Sequence, residues 1–216
     1  MQITPTVYRI GRFVSQYLLI DGNELTLIDT GMRANARSIL KTLKNMGFEY
    51  SNLKRILITH SDADHYGAAF DIKKATGCEI WSSQIEAEAI KHGVFSRQIE
   101  AKGVAKLIMA VLEPVIMVSP AVPVDKIVSD GEILPILGGL HVIASPGHTP
   151  GHISFYLPAE RILIAGDAFI GEKGKPVATT NATTSDPIMA IASAKKLLDL
   201  NPLVIGGGHA YFDYRN

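Results

Sequence analysis

Apolar and polar positions along this chain follow two alternating patterns. Short apolar runs of strand length stand between longer stretches in which apolar residues recur every three or four positions. Residues 13–20 (FVSQYLLI) and 24–29 (ELTLID) are two such runs, and Asp21-Gly22-Asn23 between them reads as a hairpin-type turn. Ile39, Leu40, Leu43 and Met46 then recur at helical spacing, with Gly47 where a helix C-terminus favours glycine. Residues 53–59 (LKRILIT) are the next expected strand, 66–77 a helix closed by Gly77, and 78–81 (CEIW) a short strand. From Ser83 to about Pro114 the pattern is helical without a clear register. Strands return at 125–136, 140–145, 152–157 and 161–167. Residues 186–200 form an amphipathic helix and 202–208 (PLVIGGG) a last strand. Two successive β-then-α halves predict an α/β fold with sheets inside and helices outside. The length predicts a single domain over residues 1–216, with a helical insertion at about 83–123.

Charge and cysteine content act here by exclusion. Basic and acidic residues balance at 21 each, and no basic stripe is present, so neither nucleic acid nor an anionic membrane is an expected partner. The single cysteine, Cys78, excludes an internal disulfide and is expected to be a small buried residue. The first residues, MQITPTVYRIGRF, lack the charged start and apolar run of a signal peptide. The apolar stretch 104–118 is interrupted by Lys106, Glu113 and Pro114 and is too short for a bilayer. A soluble cytoplasmic protein is expected, and Trp81 is expected in its core.

Candidate chemistry gathers where expected strands end. The run RILITHSDADHYGAA begins as an apolar strand and then presents His60, Asp62, Asp64 and His65. His148 follows VIASPG, Asp167 follows ILIAG, and His209 follows LVIGGG. Imidazole and carboxylate are costly to bury unless they are paired or hold an ion, and both are standard ligands for zinc and other first-row metals. Asp62 or Asp64 alone can instead cap the helix that follows, and Gly206-Gly207-Gly208 can be only a turn. His152 reads as a residue that supports a ligand, whereas His92, near a helix C-terminus, and His141, at a strand start, carry no such signal.

With these residues in place, the sequence resembles the metallo-β-lactamase-fold metallohydrolases. The family's signature, Thr-His-x-His-x-Asp-His-x-Gly, stands here as Thr59-His60-Ser61-Asp62-Ala63-Asp64-His65-Tyr66-Gly67. SPGHTPGHIS, LIAGDAF and VIGGGHA match its later motifs at His148, Asp167 and His209, and LIDTG matches an early one in which Asp29 supports the first loop. The resemblance implies a four-layer αββα sandwich of two mixed β-sheets with helices outside. It also implies two divalent transition-metal ions per chain, zinc ahead of iron or manganese. One ion would take His60, Asp62 and His148, and the other Asp64, His65 and His209, with Asp167 bridging. Asp62 departs from the family's second histidine. As a ligand it would make the first position harder, towards iron or manganese; as a helix cap it would leave that position short.

The activity so implied is hydrolysis of a small ester, lactone or thioester by hydroxide formed on the metal, with Asp64 orienting the nucleophile and passing its proton. An iron-dependent oxidoreductase of the persulfide-oxygenase kind and a non-catalytic metal-binding protein are the alternatives. The chain ends soon after His209, so the resemblance carries no expectation of the helical C-terminal domain of glyoxalase II. Tyr66 and Tyr211 stand beside ligands and are candidates to contact substrate. Residues 107–117 are apolar nearly all round, so one face is expected against the core. The other would form a pocket wall for an apolar substrate or an interface in a homodimer.

Overall fold

The computed structural model describes residues 1–11, 13–97 and 119–215. The expected pocket wall at 107–117 lies outside them.

Strands β1 (Val7–Ile10), β2 (Gln16–Asp21), β3 (Glu24–Ile28), β4 (Leu53–Leu57), β5 (Glu79–Ser82) and β6 (Lys126–Ile127) form the first sheet, in that spatial order. Its first three strands pair antiparallel and the rest parallel. The β2–β3 hairpin closes at Asp21↔Glu24, so Gly22 and Asn23 make the turn that the sequence marks. The second sheet has the order β14 (Tyr211–Asp213), β13 (Val204–Gly207), β10 (Ile162–Gly166), β9 (Ile153–Leu157), β8 (Leu140–Ala144), β7 (Ile133–Leu134). Among the described residues only its β10–β13 pair is parallel. A separate ribbon joins β11 (Phe169–Glu172) to β12 (Lys175–Ala178).

Alternation along the strands builds the layers. Ile162 and Ile164 of β10 enter the core between the sheets with Tyr17, Leu19, Ile28 and Leu57 of the first sheet, while Leu163 and Ala165 face the other way. That outer face is covered by Ala194 and Leu197 of the helix Pro187–Leu198 (here α5). The outer face of the first sheet, with Leu25, Leu27, Ile56 and Ile80, is covered by α1 (Ala36–Asn45), α3 (Ala69–Thr76) and α4 (Gln84–His92). The result is the expected αββα sandwich, with Trp81 and Cys78 buried as anticipated.

Two elements differ from the sequence reading. The expected helix at 66–77 is two helices, α2 (Ala63–Tyr66) and α3. The break falls near Gly67, where a Cβ would lie 2.2 Å from the carbonyl of Ala63 and 2.9 Å from the amide of Arg33, so only glycine permits the close approach. Asp64 and His65 therefore lie within a short helix rather than ahead of a long one. Residues 125–136 supply two short strands on different sheets instead of one, because Asp130 and Gly131 turn the chain between them.

Candidate metal centre

Five segments converge at one rim of the sandwich. They are the end of β3 with Asp29, the β4–α2 segment with His60, Asp62, Asp64 and His65, the β8–β9 loop with His148 and His152, the residue after β10, Asp167, and the β13–β14 turn with His209. All but Asp64 and His209 are buried.

Hydrogen bonding fixes which ring nitrogens are bare. Thr59 donates its hydroxyl to Asp29 Oδ2 at 2.8 Å, so the His60 Nδ1–H, 2.9 Å from that hydroxyl, donates to it and leaves Nε2 a free lone pair. His65 likewise donates Nδ1–H to Asp29 Oδ2 at 2.8 Å and turns Nε2 inward. His60 Nε2, His65 Nε2 and Asp167 Oδ1 are all buried without a hydrogen-bond partner. Their ligand atoms, and those of His60–Asp62–His148 and of Asp64–His65–His209, lie within 4.8 Å of one another in each group. Buried polar atoms are ordinarily satisfied, so bare donors of this chemistry, converging and pre-oriented, fit a divalent transition-metal ion.

The electrostatics agree. Burial by itself would raise the Asp167 carboxyl, but His65, His60 and His148 hold it far below the usual carboxylate range. Burial would lower His65, yet Asp167 and Asp29 raise it well above the usual imidazole value. The site thus attracts positive charge, which a proton supplies when no ion does. Backbone space is matched to the donors: a Cβ on Gly208 would lie 2.3 Å from Asp167 Oδ1, so this glycine is required by close packing and is more than a turn residue. Asp29 itself adopts a left-handed backbone, φ 58°, which aims its carboxylate at the first loop.

The other singled-out residues separate cleanly. His152 accepts the backbone N–H of Asp167 on Nε2 at 3.1 Å and uses Nδ1 on Ser145, so both nitrogens are engaged and it supports the site without facing it. Asp62 occupies the position before α2 but makes no capping hydrogen bond. Its carboxylate turns instead to His148 Nε2, 3.3 Å away, and His60 Nε2, 3.6 Å away. Tyr66 does not reach the cavity: one residue after His65 on a helical turn, it points into the core beneath the first sheet. Tyr211 also leaves the site, because β14 carries it back along the sheet, where its hydroxyl donates to Asp213. His92 pairs with Glu88 on the surface, and His141 is half-buried on β8.

Two residues of the site escaped the sequence reading. Glu86 of α4 is fully buried and accepts from Ser61 N, Thr149 Oγ1, Gly151 N and Ser96 Oγ, tying the His60 loop to the His148 loop. Its signal was an acid on the same helical face as Ile90. Arg97, in the loop after α4, donates from Nε to Asp62 Oδ1 at 3.2 Å and from a terminal nitrogen to Oδ2. Above these groups lies a cavity of about 350 Å³, with Asp64, His148, Asp167 and His209 on its floor and Met32, Phe95, Ile170, Asn181 and Thr183 on its walls.

The family model of the metallo-beta-lactamase superfamily matches residues 9–209. The hydroxyacylglutathione hydrolase GloC of Haemophilus influenzae is 29% identical over 196 residues, covering 89% of this chain and 82% of that protein. The probable metallo-hydrolase YflN of Bacillus subtilis is 31% identical over 202 residues, covering 87% and 75% respectively. Among solved structures, a metallo-beta-lactamase family protein from Thermus thermophilus superposes with a TM-score of 0.72 at 29% identity, over 99% of this chain and 77% of its own.

Proposed function

The chain belongs to the metallo-beta-lactamase superfamily of hydrolases, and on that premise we propose that it hydrolyses a small ester, lactone or thioester with the help of up to two divalent ions, zinc foremost. The observation that carries this reading is the convergence of bare donors, His60 Nε2, His65 Nε2 and Asp167 Oδ1, beneath an open cavity. His60, Asp62 and His148 would hold one ion and Asp64, His65 and His209 the other, with Asp167 serving both. When bound, the metal supplies Lewis acidity and a water nucleophile acidified to about pH 7.

The chain's own groups supply position and proton transfer. Asp64 Oδ2 lies 3.2 Å from His209 Nε2, and its carboxylate opens to the cavity, within reach of an attacking water. Burial would raise the Asp64 carboxyl, but His209 and His65 hold it below its ordinary range, so it is ionised at neutral pH, as a metal ligand or an acceptor that orients a water has to be. Asn181 and Thr183 offer polar contacts to the substrate, and Phe95, Ile170 and Met32 offer apolar ones. The cavity volume sits at the low end for small-molecule sites, about 300–1,000 Å³, which favours a compact acyl group. A thioester ranks first among the substrate classes because a relative matched over most of its length carries the name hydroxyacylglutathione hydrolase. No helix among the described residues is long and apolar enough to cross a membrane.

The test is a panel of acyl thioesters, lactones and aryl esters, assayed before and after chelation and zinc reloading. Chelator-sensitive, zinc-restored hydrolysis with thioesters ahead is expected. A folded protein that retains less than about half an equivalent of zinc, iron or manganese after reconstitution would falsify the reading.

A further inference from the structure

The two donor groups are not equally free, and the difference lies in Arg97. Its side chain is as buried as that of Asp62, at 6% and 9% exposure. Several contacts hold it there. One terminal nitrogen donates to the carbonyl of Thr183, and the preceding Ser96 donates its amide to Ser61 Oγ at 2.8 Å and its hydroxyl to Glu86 Oε1 at 2.9 Å. The guanidinium therefore forks onto both oxygens of Asp62 from a braced loop. Asp62 Oδ2, which it takes, is also the atom facing His148 Nε2 and His60 Nε2.

An ion completing the His60–Asp62–His148 group needs that same oxygen. The guanidinium already occupies that oxygen, so an ion arriving there meets its positive charge and must displace it or bind against its repulsion. The other group carries no such occupant. Asp64 and Asp167 make ion pairs only with histidines among the described residues, and His65 Nε2 and Asp167 Oδ1 face each other at 3.3 Å without a well-formed hydrogen bond.

We propose that Arg97 competes with the first metal ion for Asp62, so that the two positions load unequally. The Asp64–His65–His209–Asp167 side fills first and tightly, and the His60–Asp62–His148 side fills only when the ion displaces the guanidinium. This rests on the metal-dependent reading above and adds to it a residue that regulates occupancy.

The experiment titrates zinc, against a competing chelator, into stripped wild-type protein, Arg97→Gln and Arg97→Lys. Thermal unfolding of each is followed with and without zinc. Wild type is expected to show one tight step and one weaker by at least about tenfold. Arg97→Gln should tighten the weaker step by at least about tenfold, leave the tight step unchanged, and depend more on zinc for its melting temperature. Arg97→Lys, which keeps the charge but loses the fork, should fall between them. It also carries the comparison if the glutamine variant does not fold without zinc. Identical steps in all three folded proteins would overturn the competition and leave the metal-dependent reading standing. Absence of zinc binding in all three would overturn both.

Discussion

Asp29 holds His65 by a single bond, the imidazole Nδ1–H donating to Asp29 Oδ2 at 2.8 Å, and the same oxygen accepts the hydroxyl of Thr59. One carboxylate thus selects the ring form of His65 directly and of His60 through Thr59. Replacing it with asparagine keeps the shape but removes the charge and half the accepting capacity. Asp29→Asn should weaken zinc binding by about 10–100-fold, because supporting partners of ligating histidines contribute on that scale. Competition against a chromophoric chelator measures it; unchanged affinity would mean that the two rings are held by packing alone.

Glu86 binds two loops from a helix that contributes no ligand. Glu86→Ala strips four donors of their acceptor, and each buried donor left unsatisfied costs about 1–3 kcal/mol. A loss of at least about 3 kcal/mol is expected in urea unfolding of the zinc-loaded protein. Glu86→Gln should recover part of it. A loss under about 1 kcal/mol would show that water replaces the carboxylate readily.

Asp62 is the departure from the family's histidine, and its carboxylate faces His60, His148 and Arg97 at once. Asp62→His should raise the preference for zinc over manganese, since imidazole suits zinc better than it suits hard cations. Parallel titrations with both metals decide the matter. The same ranking in variant and wild type would remove Asp62 from the ligand set.

His152 should make stability fall in acid. Burial, together with the nearby His60 and His148, holds its imidazole well below the ordinary 6.5. The folded chain therefore refuses a proton that the unfolded chain accepts, so its contribution is complete above pH 6.5 and is lost as pH drops below that value. His65 and His209 shift the opposite way, so the total curve mixes signs. The clean observable is the stability difference between wild type and His152→Gln. It should be flat above pH 6.5 and shrink below it.

The convergence of the candidate ligand residues was legible because the chemistry is concentrated at strand ends, where apolar runs stop abruptly at His60, Asp167 and His209. The layers were legible for the same reason: period-two runs and helical runs alternate. What stayed hidden depends on contacts with no local signature. Arg97 meets Asp62 across 35 residues of sequence, and nothing in the spacing of either marks the pair. The β11–β12 ribbon was missed although Lys173 and Gly174, both with positive φ, form its two-residue turn, because Gly171 and Pro176 interrupt the alternation that marks strands. Tyr66 misled because adjacency in sequence is not adjacency in space, and a helical step turns it away.

The donor cluster also draws on both sheets: His60, Asp62, Asp64 and His65 follow β4, whereas His148, Asp167 and His209 stand in connections between strands of the second sheet or just after them. A chain with one cysteine cannot staple itself covalently, but an ion held between these groups closes a loop from His60 to His209, most of the polypeptide. Such a clasp forms only after distant segments have already met, so it belongs to the late part of folding. Zinc should therefore slow the unfolding limb of a chevron steeply and leave the refolding limb almost untouched. In a cell the bound ion would act on lifetime more than on folding yield, making persistence of the folded protein track metal supply.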